Sequence, residues 1–296
     1  MAEYDDINKL ADDDLNSKEY NIRAEIQSEI HKDIYFKYNS VNLVIGKRGS
    51  GKTYMVMREM LKLAYLMEDY QHSKYPTYTQ IIYITDKLRD DTCERARHYI
   101  DVNTLVEFEW ESTDHALDII NGISALKAFL ANSSEYKKKM TKQEYTATIA
   151  KAKEVLNCTM ITTIPHTVII FDDCIGLFNK QTPLSKKLFE NRQSRITYFL
   201  ILQDVQGLNA SMKANVDSLV LFGGFPKHKW NSLMYQMPLI DPDYTFINYY
   251  NKLSPHDFVL FDYIFNKIYE KSRKTDYIER PGHPELRDEI MDGQGP

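Results

Sequence analysis

Apolar residues follow two different periods along this chain. Short continuous apolar runs predict strands at Val41–Ile45, Gln80–Thr85, Thr104–Phe108, Thr167–Phe171, Ile196–Leu202 and Ser218–Phe222. Two more are predicted later, at Asp257–Phe261 and near Ile268. Between the earlier runs, apolar positions recur every three or four residues. That spacing predicts helices near 52–69, 89–99, 113–131, 135–157, 184–192 and 206–214. Strands alternating with helices predict an α/β domain of three layers around a central, mostly parallel sheet. A run such as Thr167–Phe171 has no polar side, which suits a sheet covered on both faces. The chain shows no internal repeat.

One stretch differs in texture. Residues 133–154 hold six lysines and three glutamates, with Tyr136, Met140, Tyr145, Ile149 and Ala152 spaced as on one helix face. The pattern predicts a basic helical insertion near 133–157, a solvated surface helix with a lysine-rich outer side.

Composition narrows the class. No apolar run approaches the roughly 20 residues of a membrane-spanning helix. The acidic, polar beginning does not resemble a secretory or transit leader. Cys93, Cys158 and Cys174 show no metal-ligand spacing and read as reduced thiols of a cytosol-like compartment. The net charge of −5 is unevenly placed. Residues 1–20 carry seven acids and two lysines, and residues 276–296 six acids and two arginines. The remainder is mildly basic, with 33 lysines and arginines against 29 acids. This divides the chain into an acidic mobile tail (1–25), a body (26–275) and an acidic C-terminal tail (276–296). The body's charge permits a polyanion partner without requiring one.

Chemistry enters at Gly46-Lys47-Arg48-Gly49-Ser50-Gly51-Lys52-Thr53, which matches G-x-x-x-x-G-K-[ST] at every fixed position. It follows the strand Val41–Ile45 and opens the helix beginning at Lys52, the setting that gives the motif its meaning. Glycines let successive backbone N–H groups curl around a phosphate, and the helix N-terminus adds partial positive charge. Lys52 then reaches the β- and γ-phosphates of ATP, and the Thr53 hydroxyl ligates Mg²⁺.

The apolar strand Thr167–Phe171 ends in Asp172-Asp173. A buried strand delivers its last residues to the sheet edge where ligands of open α/β folds bind. Behind a phosphate loop, Asp172 suits a Mg²⁺ partner and Asp173 a base for the attacking water. A strand-end turn would also place two aspartates there. The strand Ile196–Leu202 ends in Gln203, an amide able to sense the γ-phosphate and hold water in line, or simply a polar residue closing a strand.

The series Gly46–Thr53, then Ile169-Ile170-Phe171-Asp172-Asp173, then Tyr198–Leu202 with Gln203, resembles the FtsK–HerA division of P-loop motor ATPases. Within it, the chain is most similar to the genome-packaging ATPases of large eukaryotic DNA viruses and virophages. Glu190–Arg195, Lys213–Asp217 before Leu219–Phe222, and Tyr249–Leu253 before Asp257–Phe261 add to the likeness, which covers roughly residues 38–265. Two positions depart from the pattern: Lys213 stands where an arginine is frequent, and Asp173 where many related motors have glutamate.

The resemblance implies a RecA-like P-loop core with the Gln203 strand lying between the phosphate-loop strand and the Asp172 strand. It implies ATP hydrolysis that drives double-stranded DNA into a preformed capsid, a homo-oligomeric ring of six, and a capsid-protein partner. It places the protein in the host cytoplasm or viral factory, or on the virion. It also implies a basic residue reaching the site from a neighbouring subunit, for which Arg192 and Arg195 are the candidates and Lys213 a weaker third. Lys137-Lys138-Lys139 and Lys227-His228-Lys229-Trp230 are candidate DNA contacts or plain solvated surface. No metal-nuclease cluster is evident. A GTPase would carry Asn/Thr-Lys-x-Asp after a strand, which is not found. A small-molecule kinase would not need Gln203. A filament-assembly ATPase of the same division, or a nucleotide-gated scaffold, remains the alternative.

Overall fold

Three parallel strands form the centre of the molecule, and their sequences explain why. In the computed structural model, β1 (Val41–Ile45) is flanked by β5 (Ile196–Leu202) and β6 (Ser218–Phe222), and every residue of all three is buried. Such strands must be covered on both faces. The structure describes residues 36–37, 39–57, 59, 78–85, 105–109, 113–156, 164–178, 183–206, 208–237, 252–254, 256–271 and 278–280. The helix expected near 89–99, residues 60–69 of the helix expected near 52–69, the acidic N-terminal tail, the C-terminal tail apart from 278–280, Cys93 and Cys158 lie outside these.

The remaining strands are β2 (Tyr78–Thr85), β3 (Leu105–Glu109), β4 (His166–Asp172), β7 (Phe258–Asp262), β8 (Lys267–Lys271) and β9 (Ile278–Arg280). The sheet order is β3-β2-β4-β5-β1-β6-β7-β8-β9. From β3 to β6 all neighbours are parallel, and β7, β8 and β9 add on antiparallel. The expected order β4-β5-β1 is present, and the C-terminal strands extend the sheet edge. The sheet runs on to Arg280, beyond the boundary drawn at 275, because Ile278 and Arg280 pair with Glu270 and Ile268.

Alternate residues of each strand enter two separate cores. On one face Leu43, Ile45, Phe171, Tyr198 and Leu200 pack with Ile120 of α2 (Thr113–Ala131), Leu184 of α5 (Pro183–Leu188), Met212 of α6 (Ala210–Ala214) and Trp230 of α7 (Lys227–Gln236). On the other, Val44, Ile170, Phe199 and Val220 meet Met55, Val56 and Met57 of α1, the helix that starts at residue 52. Phe36 closes that face edge-on against Phe199, with ring centroids 5.0 Å apart. The domain is therefore a three-layer α/β fold. Among the described residues no helix is long and apolar enough to cross a membrane.

The centre of the sheet also holds polar groups. Asn42 of β1 is fully buried. Its amide donates to Tyr198 O on β5 at 3.1 Å, and its Oδ1 accepts from Ser218 Oγ on β6 at 2.7 Å.

Two expectations change. The insertion is not one helix but two, α3 (Ser133–Lys139) and α4 (Lys142–Val155). The break falls at Thr141, whose side chain accepts from Glu144 N at 3.2 Å while Glu144 reaches back to Thr141 N at 2.9 Å. This reciprocal cap starts a new helix. Tyr136 and Tyr145 still share one anchor, Phe129 of α2, at centroid distances of 5.1 and 5.6 Å. The second change is Trp230, considered above with a solvated basic stretch. It is 1% exposed and anchors α7 in the core.

Candidate active site

The phosphate loop spans the end of β1 and the start of α1, and backbone geometry dictates its glycines. Gly49 and Gly51 have φ of 77° and 95°, the left-handed region that a side chain strains. Gly46 is required for a different reason. A Cβ there would collide with Ser50 Oγ and come within 2.9 Å of Phe222 Cβ. Gly46 N donates to Leu202 O at 3.2 Å, so the loop is stitched to the end of β5.

Lys52 lies across this loop. Its Nζ donates to Gly46 O at 2.8 Å and Lys47 O at 3.1 Å. Burial lowers its pKa, while Asp172 and Asp173 act in the opposite direction. The ammonium is thus held between the loop carbonyls and two carboxylates, where an incoming phosphate can replace the carbonyls.

Asp172 ends β4 two strands away. Its Oδ2 accepts from Thr53 Oγ1 at 2.7 Å and from Tyr83 OH at 2.6 Å. Burial raises the Asp172 pKa, and the Tyr83 and Thr53 bonds, then Lys52, pull it back. A hydroxyl and a carboxylate oxygen in direct contact form the hard-oxygen pair that suits Mg²⁺ alongside phosphate oxygens.

Asp173 has a φ of 57°, which turns the chain off the strand. Its N–H donates to Ile201 O at 3.0 Å, and its carboxylate accepts from Gln203 Nε2 at 3.1 and 2.9 Å. Aspartate tolerates this left-handed position better than bulkier residues do. The turn aims the second carboxylate sideways, over the end of β5. Gly46–Thr53, Asp172, Asp173 and Gln203 therefore converge on one edge of the sheet.

The arginines do not join them. Arg192 and Arg195 sit in the turn before β5, where Arg195 O accepts from Thr167 N at the start of β4. The seven residues of β5 separate that turn from the loop, about 20 Å at 3.3 Å per residue. Arg195 has a φ of 50°, and its carbonyl accepts from the buried Lys127 Nζ at 2.8 Å. Lys213 donates to Gln236 Oε1 at 2.8 Å. Lys229 pairs with Asp204 at 2.9 Å, next to Gln203. The lysines 137–139 lie on α3, which has no buried residue.

Two residues at the site were not picked out from the sequence. Tyr83 arrives from β2 and donates to Asp172. His256 Nδ1 lies 3.1 Å from Ser50 O, across 206 residues of sequence.

The whole fold can now be set beside known structures. It superposes on the DNA-packaging ATPase B204 of Sulfolobus turreted icosahedral virus with a TM-score of 0.52. That match covers 79% of this chain and 97% of that one, at 14% identity. The fold is that of the P-loop ATPases. A second match, EssC (ATPases 2 and 3) from Geobacillus thermodenitrificans, has a TM-score of 0.50 at 13% identity. It covers 86% of this chain and 42% of that one, so this chain spans about two-fifths of that two-ATPase chain. No protein-family model matches the sequence, and no curated protein matches it. At these identities the P-loop ATPase likeness is one of architecture, and it agrees with the class expected from the motifs.

Proposed function

We propose that this chain hydrolyses ATP to drive double-stranded DNA into a preformed viral capsid, acting as a hexameric ring at the site of virion assembly with a capsid protein as its dock. The observation that carries the hydrolysis is the convergence of three neighbouring strand ends. β1 supplies the phosphate loop, β5 supplies Gln203, and β4 supplies Asp172 and Asp173, with Thr53 in contact with Asp172 at 2.7 Å. Backbone amides of the loop and Lys52 bind the phosphates. Thr53 and Asp172 hold Mg²⁺, which offsets charge on the phosphate oxygens when bound. Asp173 accepts the proton of the attacking water, and Gln203, already on that carboxylate, keeps the water in line.

The cargo rests on the sequence resemblance and on a fold shared with a DNA-packaging ATPase. A translocating motor holds phosphates rather than bases, so its affinity falls with salt. Long double-stranded DNA is expected to raise ATP turnover several-fold at low salt, with the stimulation fading as salt rises. Turnover indifferent to DNA at every salt concentration would refute DNA as the cargo.

The distance between arginine turn and phosphate loop gives the ring its role. A residue about 20 Å from its own loop can reach a phosphate only in a neighbour's. A head-to-tail ring brings such opposite edges together. Arg192, with Arg195 beside it, supplies positive charge to the γ-phosphoryl group across that interface. Subunits carrying Arg192→Ala with Arg195→Ala keep an intact loop, and Lys52→Ala subunits keep intact arginines. Each variant alone is expected to be inactive, and mixing the two should restore a measurable fraction of turnover. Mixed rings, identified by native mass spectrometry, that stay as inactive as either parent would exclude the arginines from the neighbour's site.

A further inference from the structure

The phosphate loop touches an element that takes no part in the chemistry above. Residues 252–254 and 256–257 lie just before β7, and from among them His256 reaches the loop. A carbonyl oxygen only accepts, so His256 Nδ1 carries a proton and donates it to Ser50 O at 3.1 Å. A Cβ on Gly51 would lie 3.7 Å from the same nitrogen.

The segment is fixed from beneath. Gly223 N donates to Asp257 O at 2.9 Å, and Asp257 N to Ser254 O at 3.0 Å. A side chain on Gly223 would come within 2.6 Å of both Leu253 Cβ and Leu253 O. One residue earlier, Phe222 packs behind Gly46. Loop, strand end and segment therefore form one packed unit.

The sheet order supplies a direction. Asp172, Asp173 and Gln203 stand on the β4 and β5 side of β1, while β6 and β7 lie on the other. A nucleoside triphosphate is a linear molecule. With its γ-phosphoryl group on the first side and its phosphates threaded through the loop, its ribose and base leave on the second. There the His256 ring is exposed and pinned by one nitrogen. Tyr54, two residues past Lys52 and 60% exposed, is another aromatic beside the loop.

We infer that His256 is the nucleoside-contact residue, laying its ring against the base while it holds the Ser50 carbonyl. The inference rests on reading the loop as an ATP site. It separates from that reading by comparing ATP with inorganic tripolyphosphate, which has the phosphates and no nucleoside. Both are titrated by calorimetry with Mg²⁺ into wild type, His256→Ala and His256→Asn. His256→Ala is expected to weaken ATP about tenfold, the scale of one lost base–aromatic stack, and to leave tripolyphosphate within about twofold. His256→Asn, whose amide can still donate to Ser50, is expected to match His256→Ala. Equal weakening of both ligands, or wild-type ATP affinity in His256→Asn, would assign the effect to the loop and overturn the inference. Unchanged ATP affinity in His256→Ala would overturn it as well. Wild-type protein that binds neither ligand would overturn the ATP-site reading itself.

Discussion

Lys52→Ala is expected to lower kcat/KM for ATP by about a thousandfold or more. Its ammonium is the one lysine charge that the described structure lays across the phosphate loop, bonded to Gly46 O and Lys47 O and balanced by Asp172 and Asp173. A charge-assisted contact that strengthens as the γ-phosphoryl group separates contributes about 4 kcal/mol to the barrier, at 1.36 kcal/mol per factor of ten. Both binding and turnover should fall, because Lys52 serves the ground state and the transition state alike. The fold should survive, since the Lys47 carbonyl is released at an exposed residue and the buried Gly46 O alone loses a partner. Steady-state kinetics with circular dichroism checks both parts. A Lys52→Ala protein with near-wild-type kcat/KM would remove the loop from the chemistry.

Asp173→Asn is expected to separate the two functions that Lys52 joins. Asparagine keeps the shape of the side chain at the left-handed turn and a partner for Gln203, but it cannot accept a proton. Turnover should fall by about a hundredfold to ten-thousandfold, the usual range for a lost general base, while ATP affinity stays within a few-fold of wild type. Single-turnover hydrolysis beside equilibrium ATP binding measures this split. Asp172→Asn makes the control, since loss of that carboxylate acts through Mg²⁺ and should be partly offset by raising its concentration. An Asp173→Asn enzyme that hydrolyses at the wild-type rate would place the base elsewhere.

Local pattern was sufficient for the three central strands, while β7, also uniformly buried, was read one residue early. The bounds read for β1, β5 and β6 coincide with the observed strands, because each is a mostly apolar run buried on both faces. The motif residues were legible for a related reason: each closes such a run. Other features depend on contacts between distant segments. Tyr83 meets Asp172 only because β2 pairs with β4, and His256 meets Ser50 only because Leu253, Ser254 and Asp257 lie against Gly223. Neither adjacency is written in the local sequence. Helix α7 had a fainter signal, with Trp230, Leu233 and Met237 as buried points three and four residues apart among polar neighbours. The break in the basic insertion was legible and missed: Thr141 followed by Glu144 is a helix-start signature inside what otherwise looks like one helix.

Asn42 bears on the accuracy of the whole site. Val41–Ile45 is apolar on both sides and lies between two strands that are equally so, so hydrophobicity alone leaves its register poorly specified. A slip of two residues would keep every side chain on its proper face. It would also carry the phosphate loop nearly 7 Å along the sheet, away from Gln203 and Asp172. In that displaced pairing the buried Asn42 amide would leave Tyr198 O and Ser218 Oγ and keep only Ser40 Oγ of its own segment, so Ser218 Oγ would lose its partner in an apolar interior. One asparagine in the central strand thus acts as a key that favours the native alignment, and that alignment sets the spacing of groups more than 100 residues apart in the chain.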